Sequence, residues 1–312
     1  MKQKILFIDT HNVEPTPPEM IRIQGKLTHE LWEKILHDKP SLNMLNNVAP
    51  VKMFSFGGQW PITTGLLTIH AYVATHADTL PNPVDMEYIH MENLFDKYGA
   101  QAWEKLSSKA TDADVVGISC TTPNFGNAID IAKHIKKTNK NATVVLGGPH
   151  VTFLDKETLE NEVVDIIVRG EGEKPFLELL RNLKNKDFDK VPGISFLKND
   201  ECVRTQHPPP LTSNEIPAPS YQLVPKEHHE KYIISMASSR GCPFSCSFCA
   251  ESSFWGNNVR LREPAEVIKD MQTLHNLLGE TMIHFSDSNF PINEKYLEKI
   301  LDFMEAENIN IK

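Results

Sequence analysis

At 312 residues, 40% of them hydrophobic, the chain is long enough to bury a full core in about two domains. A formal net charge of −9 argues against a nucleic-acid partner, which needs a basic face. No apolar run approaches the ~20 residues of a membrane span, and Met1 to Asp9 is too short and too soon acidic for a signal peptide, so the expected setting is a reducing cytoplasm.

Lys4 to Ile8 is a short apolar run closed by Asp9, the pattern of a strand buried on both faces. From His11 to Gln59 the sequence is irregular and broken by prolines, with a helix expected only over Leu27 to Leu36. So long an excursion after a first strand reads as an insertion or lid. Leu66, Ile69 and Val73 then mark one face of a helix, and Met86 to Met91 reads as a strand. Asp114 to Ser119 is another buried strand, followed by a helix with Ala128, Ile131, Ala132 and Ile135 inward. Ala142 to Leu146 is a strand ending in Gly147-Gly148-Pro149-His150. Val163 to Val168 ends in Arg169-Gly170-Glu171-Gly172-Glu173, after which Pro175 opens a helix with Phe176, Leu179, Leu180 and Leu183 inward. This alternation predicts an α/β fold, a Rossmann-like, doubly wound parallel sheet over residues 1–206.

Gly193 to Leu197 and Cys202 to Gln206 read as a small hairpin. The prolines from Pro208 to Pro219 sustain neither helix nor sheet and mark an interdomain linker over 207–230. In the remaining region, 231–312, Ile233 to Met236 is a strand feeding a loop with three cysteines. Pro264 opens a helix with Val267, Met271, Leu274 and Leu278 on one face, Met282 to Phe285 is a strand, and Asn293 caps a helix carrying Leu297, Ile300, Leu301 and Met304. Ile309 to Ile311 starts a third strand, whose edge is expected to lack a neighbour. Cys120 and Cys202 read as buried small hydrophobes, and His228, His229, His275 and His284 as surface or packing residues.

The three cysteines of that loop, Cys242, Cys246 and Cys249, fall within eight residues of a chain with five cysteines in all. Disulfides need pairs and an oxidising compartment, and a zinc site normally wants a fourth Cys or His nearby. Three close thiolates suit a cubane iron–sulfur cluster, each holding one iron and leaving the fourth open to a small molecule. At three strand ends of the first region stand Ser119, Gly147-Gly148 and Gly170-Glu171-Gly172, where ligands of such sheets lie. Each taken alone is also an ordinary tight turn.

Cys-x-x-x-Cys-x-x-Cys, with Ser238-Ser239-Arg240-Gly241 before it and aromatic Phe248 before the last cysteine, resembles the signature of radical S-adenosylmethionine (SAM) enzymes. The resemblance implies a [4Fe-4S] cluster on Cys242, Cys246 and Cys249. Its open iron would chelate SAM, and a one-electron reductant such as flavodoxin or ferredoxin would trigger cleavage to a 5'-deoxyadenosyl radical. Phe248, Ser286 and Asp287 become candidate SAM contacts, and Arg240 is read as a brace for the cluster loop. The order of Gly65-Leu66, Asp114 to Ser119, Val144 to His150 and Arg169 to Glu173 resembles the cobalamin-binding domain fused ahead of many radical SAM domains. That implies cobalamin as a further cofactor, with Ser119, Gly147 and Gly148 lining the slot for its nucleotide tail and Gly170 and Gly172 closing the side. Asp9-Thr10-His11 lacks the glycine of the cobalt-ligating pattern, so base-off binding without a histidine ligand is expected.

Taken together, the resemblance implies a Rossmann-like cobalamin domain followed by part of a (β/α) radical SAM barrel, with two of six strand-and-helix units complete before the sequence stops. The expected activity is methylation of an unactivated carbon of a small-molecule substrate, with no nucleic acid and no membrane involved. An oxygen-independent oxidative cyclase and a non-catalytic cobalamin-binding or redox-sensing module are the alternatives.

Overall fold

The computed structural model describes residues 2–10, 64–224, 234–278, 283–290 and 293–306. The expected insertion with its helix over Leu27 to Leu36, His11, His228, His229 and the strand start at Ile309 to Ile311 lie outside them. Strand β1 (Gln3–Asp9) carries the unbroken apolar run, and Ile5, Leu6, Phe7 and Ile8 are all fully buried, because helices cover both sides of the sheet. Helix α1 (Gly65–Thr75) precedes β2 (Val84–His90), and α2 (Met91–Tyr98) and α3 (Ala102–Ala110) precede β3 (Val115–Ser119). Helix α4 (Phe125–Thr138) leads to β4 (Thr143–Gly147), and the short α5 (Pro149–Phe153) and α6 (Asp155–Leu159) to β5 (Ile166–Val168). The five strands pair in parallel in the order β2-β1-β3-β4-β5. Helices α2, α3 and α4 fill one face, while α1 and α7 (Glu173–Asn182) fill the other.

The hairpin adds to this parallel sheet. Strands β6 (Ile194–Lys198) and β7 (Glu201–Arg204) form the predicted hairpin, but β6 also pairs antiparallel with β5 and makes the sheet seven-stranded and mixed. A two-residue turn with positive φ at Asn199 and Asp200 reverses the chain at once, which a parallel crossover forbids. Cys202, expected to be buried, is half-buried, because β7 is an edge strand with one side uncovered.

The second unit contains β8 (Ile234–Met236), β9 (Ser239–Arg240), α8 (Glu251–Trp255), β10 (Arg260–Leu261), α9 (Pro264–Leu278), β11 (Ile283–Phe285) and α10 (Glu294–Ala306). Strand β11 pairs in parallel with β8, while β9 and β10 form a separate antiparallel ribbon. Val267, Met271 and Leu274 are buried as the periodicity predicts, and Asn293 caps α10 by accepting from the Tyr296 N–H at 3.0 Å. Leu301 is 51% exposed, contrary to expectation. The rotation of α10 is set instead by Tyr296 and Ile300, which are buried one turn apart, with the Tyr296 hydroxyl donating to the Arg262 carbonyl at 2.9 Å.

The proline segment is anchored at intervals by buried side chains. Leu211 and Ile216 belong to the core of the first unit, whereas Tyr221 and Val224 belong to that of the second, together with Leu67 from α1. Among the described residues no helix is long and apolar enough to cross a membrane.

Candidate functional site

A sheet ordered 2-1-3-4-5 reverses direction between β1 and β3, and a crevice opens outside the carboxyl ends of its strands. At that edge Thr10 donates to the Ser119 carbonyl at 2.8 Å and the Cys120 N–H donates to the Gly147 carbonyl at 2.9 Å. Tyr88 donates to Asp9 at 3.1 Å, and burial together with the Asp9 charge raises its phenol well above the ordinary range. Burial pushes the Cys120 thiol up to about 12, so it stays protonated and inert.

The two glycines after β4 do different work. Gly148 has φ +110°, and a Cβ there would collide with the Cys120 carbonyl oxygen, so the backbone itself demands glycine. Gly147 meets no such obstacle, since the nearest atom to a Cβ is the Val168 carbonyl oxygen at 3.8 Å. The Thr152 hydroxyl accepts from the Gly170 N–H at 3.0 Å and donates to the Gly148 carbonyl at 2.9 Å, which couples the two glycine turns.

These turns form the floor of a cavity of about 400 Å3, within the size range of small-molecule sites. Ser119, Gly147, Gly148, Gly170 and Gly172 line one side, and Ser239, Arg240, Trp255 and Ser286 of the second unit line the other. Six of the sequence-derived positions thus share one cavity. Asp287, Phe248 and the three cysteines are not among its lining residues.

Asp287 is engaged elsewhere. Its carboxylate accepts from the Ser238 N–H at 3.0 Å, the Ser238 hydroxyl at 2.7 Å and the Ser239 hydroxyl at 2.5 Å, which ties the end of β11 to the turn that feeds the cysteine loop. Ser286 donates from its hydroxyl to the Met236 carbonyl at 3.1 Å. Arg240 then leads into Gly241, whose φ of +94° and close approach to the Asn258 carbonyl also require glycine. The Cys249 N–H donates to the Cys246 carbonyl at 3.1 Å.

Cys246 is exposed, Cys242 and Cys249 are half-buried, and all three thiols are free. Among the described residues no three His, Cys, Asp or Glu side chains converge as metal ligands, so it is the chemistry of the donor set that fits a cluster: three soft thiolates on one short loop. Phe248 beside them is 89% exposed.

The sequence reading missed Glu171, Glu173 and Arg260. Arg240 lies in ion-pair contact with Glu171 and Glu173, and Arg260 with Glu171, all four buried or nearly so. The alternation Gly-Glu-Gly-Glu was the available signal, but its partners lie in the other unit.

Residues 98–180 match the B12 binding domain family. Over 210 residues the chain is 38% identical to an uncharacterized methyltransferase of Pyrococcus horikoshii, covering 65% of this chain and 46% of that protein. It is also 30% identical over 210 residues to the cobalamin-dependent radical SAM methyltransferase TokK of Streptomyces tokunonensis, covering 62% of this chain and 30% of the relative. The chain is thus similar to cobalamin-dependent radical SAM enzymes. It is likewise 32% identical over 214 residues to an anaerobic magnesium-protoporphyrin IX monomethyl ester cyclase of Cereibacter sphaeroides, covering 65% of this chain and 34% of the cyclase. The fold matches that of the radical SAM methyltransferase TsrM from Kitasatospora setae, solved with cobalamin and a [4Fe-4S] cluster, with a TM-score of 0.66 at 16% identity over 99% of this chain and 53% of TsrM. The chain spans less than half the length of the curated relatives named here.

Proposed function

We propose that this chain forms the cobalamin- and cluster-binding part of a radical SAM enzyme that methylates an unactivated carbon of a small molecule. One observation carries the reading: a single cavity has the glycine turns of the B12-binding unit as one wall and the strand ends flanking the cysteine loop as the other. Cys242, Cys246 and Cys249 would hold a [4Fe-4S] cluster, with Phe248 and Ser286 beside the SAM it binds. Ser119, Gly147, Gly170 and Gly172 would admit cobalamin against the backbone, while Gly148 shapes the turn and Asp287 braces the cluster loop. When bound, SAM on the cluster and cobalamin supply radical generation and a methyl donor. The chain's part is to hold the two groups on facing walls and to exclude water between them. A one-electron reductant such as flavodoxin or ferredoxin and an oxygen-poor cytoplasm complete the reading.

The cyclase relatives favour ring formation as the second reading. Both share a first test, anaerobic reconstitution, which should load about four irons per chain and lose them in the Cys242→Ala/Cys246→Ala/Cys249→Ala variant. A triple variant that keeps its cluster would sink both. Transfer of label from methyl-labelled SAM to product then separates methylation from cyclisation.

A further inference from the structure

A buried ionic clasp joins the glycine-rich turn of the first unit to the strand that enters the cysteine loop. Arg240 donates from Nη2 to Glu173 at 2.6 Å and from Nη1 to Glu171 at 3.2 Å, and its guanidinium lies 5.1 Å from the centre of the Trp255 ring. Arg260, paired with Arg240 across the β9–β10 ribbon, reaches the other oxygen of Glu171 and donates to the Leu211 carbonyl at 2.7 Å. Two cations therefore face two anions, with no more than 12% of any of these side chains exposed.

Burial works against the charged form of Glu173, yet Arg240, together with hydrogen bonds from the backbone and Thr68, holds the carboxyl below its usual range. A buried pair adds little net stability, because desolvation offsets most of the attraction. The planar fork of arginine instead fixes direction. The lever from clasp to thiol is short: Gly241 alone separates Arg240 from Cys242, its φ is fixed at +94°, and the Cys242 N–H donates to the Gly256 carbonyl at 3.4 Å. Glu171, Glu173 and Arg240 also line the cavity.

We propose that Glu171 and Glu173 are positioning residues for the cysteine loop: acting through Arg240 and Arg260, they set where Cys242 stands relative to the cavity floor. The proposal rests on the reading above for what the loop binds, but the clasp and its effect on the loop belong to this chain alone. The test uses the full chain, free of metal, as wild type, Glu173→Gln, and Glu171→Gln/Glu173→Gln. Glu215→Gln, which alters the pair that exposed Glu215 makes with half-buried Lys174, serves as control. Alkylation of each cysteine by N-ethylmaleimide is followed by mass spectrometry. In the double variant the buried Arg240 has no partner carboxylate left, so Cys242 should react about tenfold faster there, and Glu173→Gln, which keeps Glu171, should fall between it and wild type. Exposed Cys246 and buried Cys120 should keep their rates, and the control should match wild type. After reconstitution, the reduced cluster of Glu173→Gln should show displaced EPR g-values at unchanged iron content.

An unchanged Cys242 rate in a folded double variant overturns the proposal. So does equal acceleration of all five cysteines, which marks general loosening instead of a local role. Should the double variant fail to fold, Arg240→Lys, which keeps the charge but lacks the fork, is subjected to the same assay, and wild-type behaviour there also overturns it. If wild type assembles no cluster, the functional reading falls while the alkylation pattern still decides the clasp.

Discussion

Gly147 and Gly148 stand side by side, yet their substitution should separate fold from ligand binding. Gly148 has φ +110° and ψ 176°, a region costing a non-glycine residue about 1–3 kcal/mol. A Cβ there also overlaps the Cys120 carbonyl oxygen, a backbone atom that cannot rotate aside, and overpacking of this kind adds about 1–3 kcal/mol. Gly148→Ala should therefore lose about 2–6 kcal/mol, a fall in Tm of roughly 4–24 °C for a unit of this size. Gly147 leaves a Cβ in ordinary contact, 3.8 Å from the nearest atom, so Gly147→Ala should change stability by about 1 kcal/mol or less. Gly147→Val should keep that stability while its side chain projects into the cavity and weakens cobalamin binding by about tenfold or more. Thermal unfolding by circular dichroism and cobalamin titration by absorbance measure the two effects separately. The reasoning is refuted if Gly148→Ala melts like wild type, or if Gly147→Val binds cobalamin normally.

Two further substitutions probe the frame around the site. Asp287→Ala strands the buried hydroxyls of Ser238 and Ser239; with hydrogen bonds to charged groups contributing about 1.5–3 kcal/mol each and not adding fully, urea unfolding should show a loss of about 2–4 kcal/mol with cobalamin affinity unchanged. Asp155, buried against the hairpin, accepts from Arg204 at 2.8 and 2.6 Å and from Ser195 at 2.5 Å. Burial pushes its carboxyl up, but Arg204 and Ser195 outweigh it and hold it below the ordinary range. Its contribution is thus fully present above the unfolded value of about 3.9 and is lost as pH falls through the lower folded value. Stability should fall less steeply below about pH 4 in Asp155→Asn than in wild type; equal slopes would remove Asp155 from the acid response.

What the sequence conveyed depended on how local the cause was. The strands β1, β3 and β4 were legible because burial on both faces leaves continuous apolar runs, and the glycine turns and cysteine loop because spacing alone defines them. Helices α2 and α3 were missed between Met91 and Ala110, although Met91 and Leu94, and then Ala102, Leu106 and Ala110, stand at helical spacing and are buried. Two-residue strands such as β9 and β10 carry no periodic signal at all. The rotation of α10 depended on a hydrogen bond from Tyr296 to a distant carbonyl, so Leu301 was placed inward on periodicity and proved exposed. The roles of Glu171, Glu173 and Asp287 required partners from other segments, and no local pattern holds that information.

Helix α1 has consequences for how such proteins recombine. Its Leu66, Tyr72 and Val73 pack into the core of the first unit while Leu67 enters that of the second, and the proline segment is divided in the same way between Ile216 and Tyr221. A chimera joined near Pro208 would strip Leu211 and Ile216 from the B12-binding unit and leave a hole where they sat. The transplantable block runs through Ile216, and its new partner must offer a socket for Leu67. Exchange of B12-binding units between relatives is therefore restricted to partners that fit both the helix and the strap, which ties the inheritance of the two halves together.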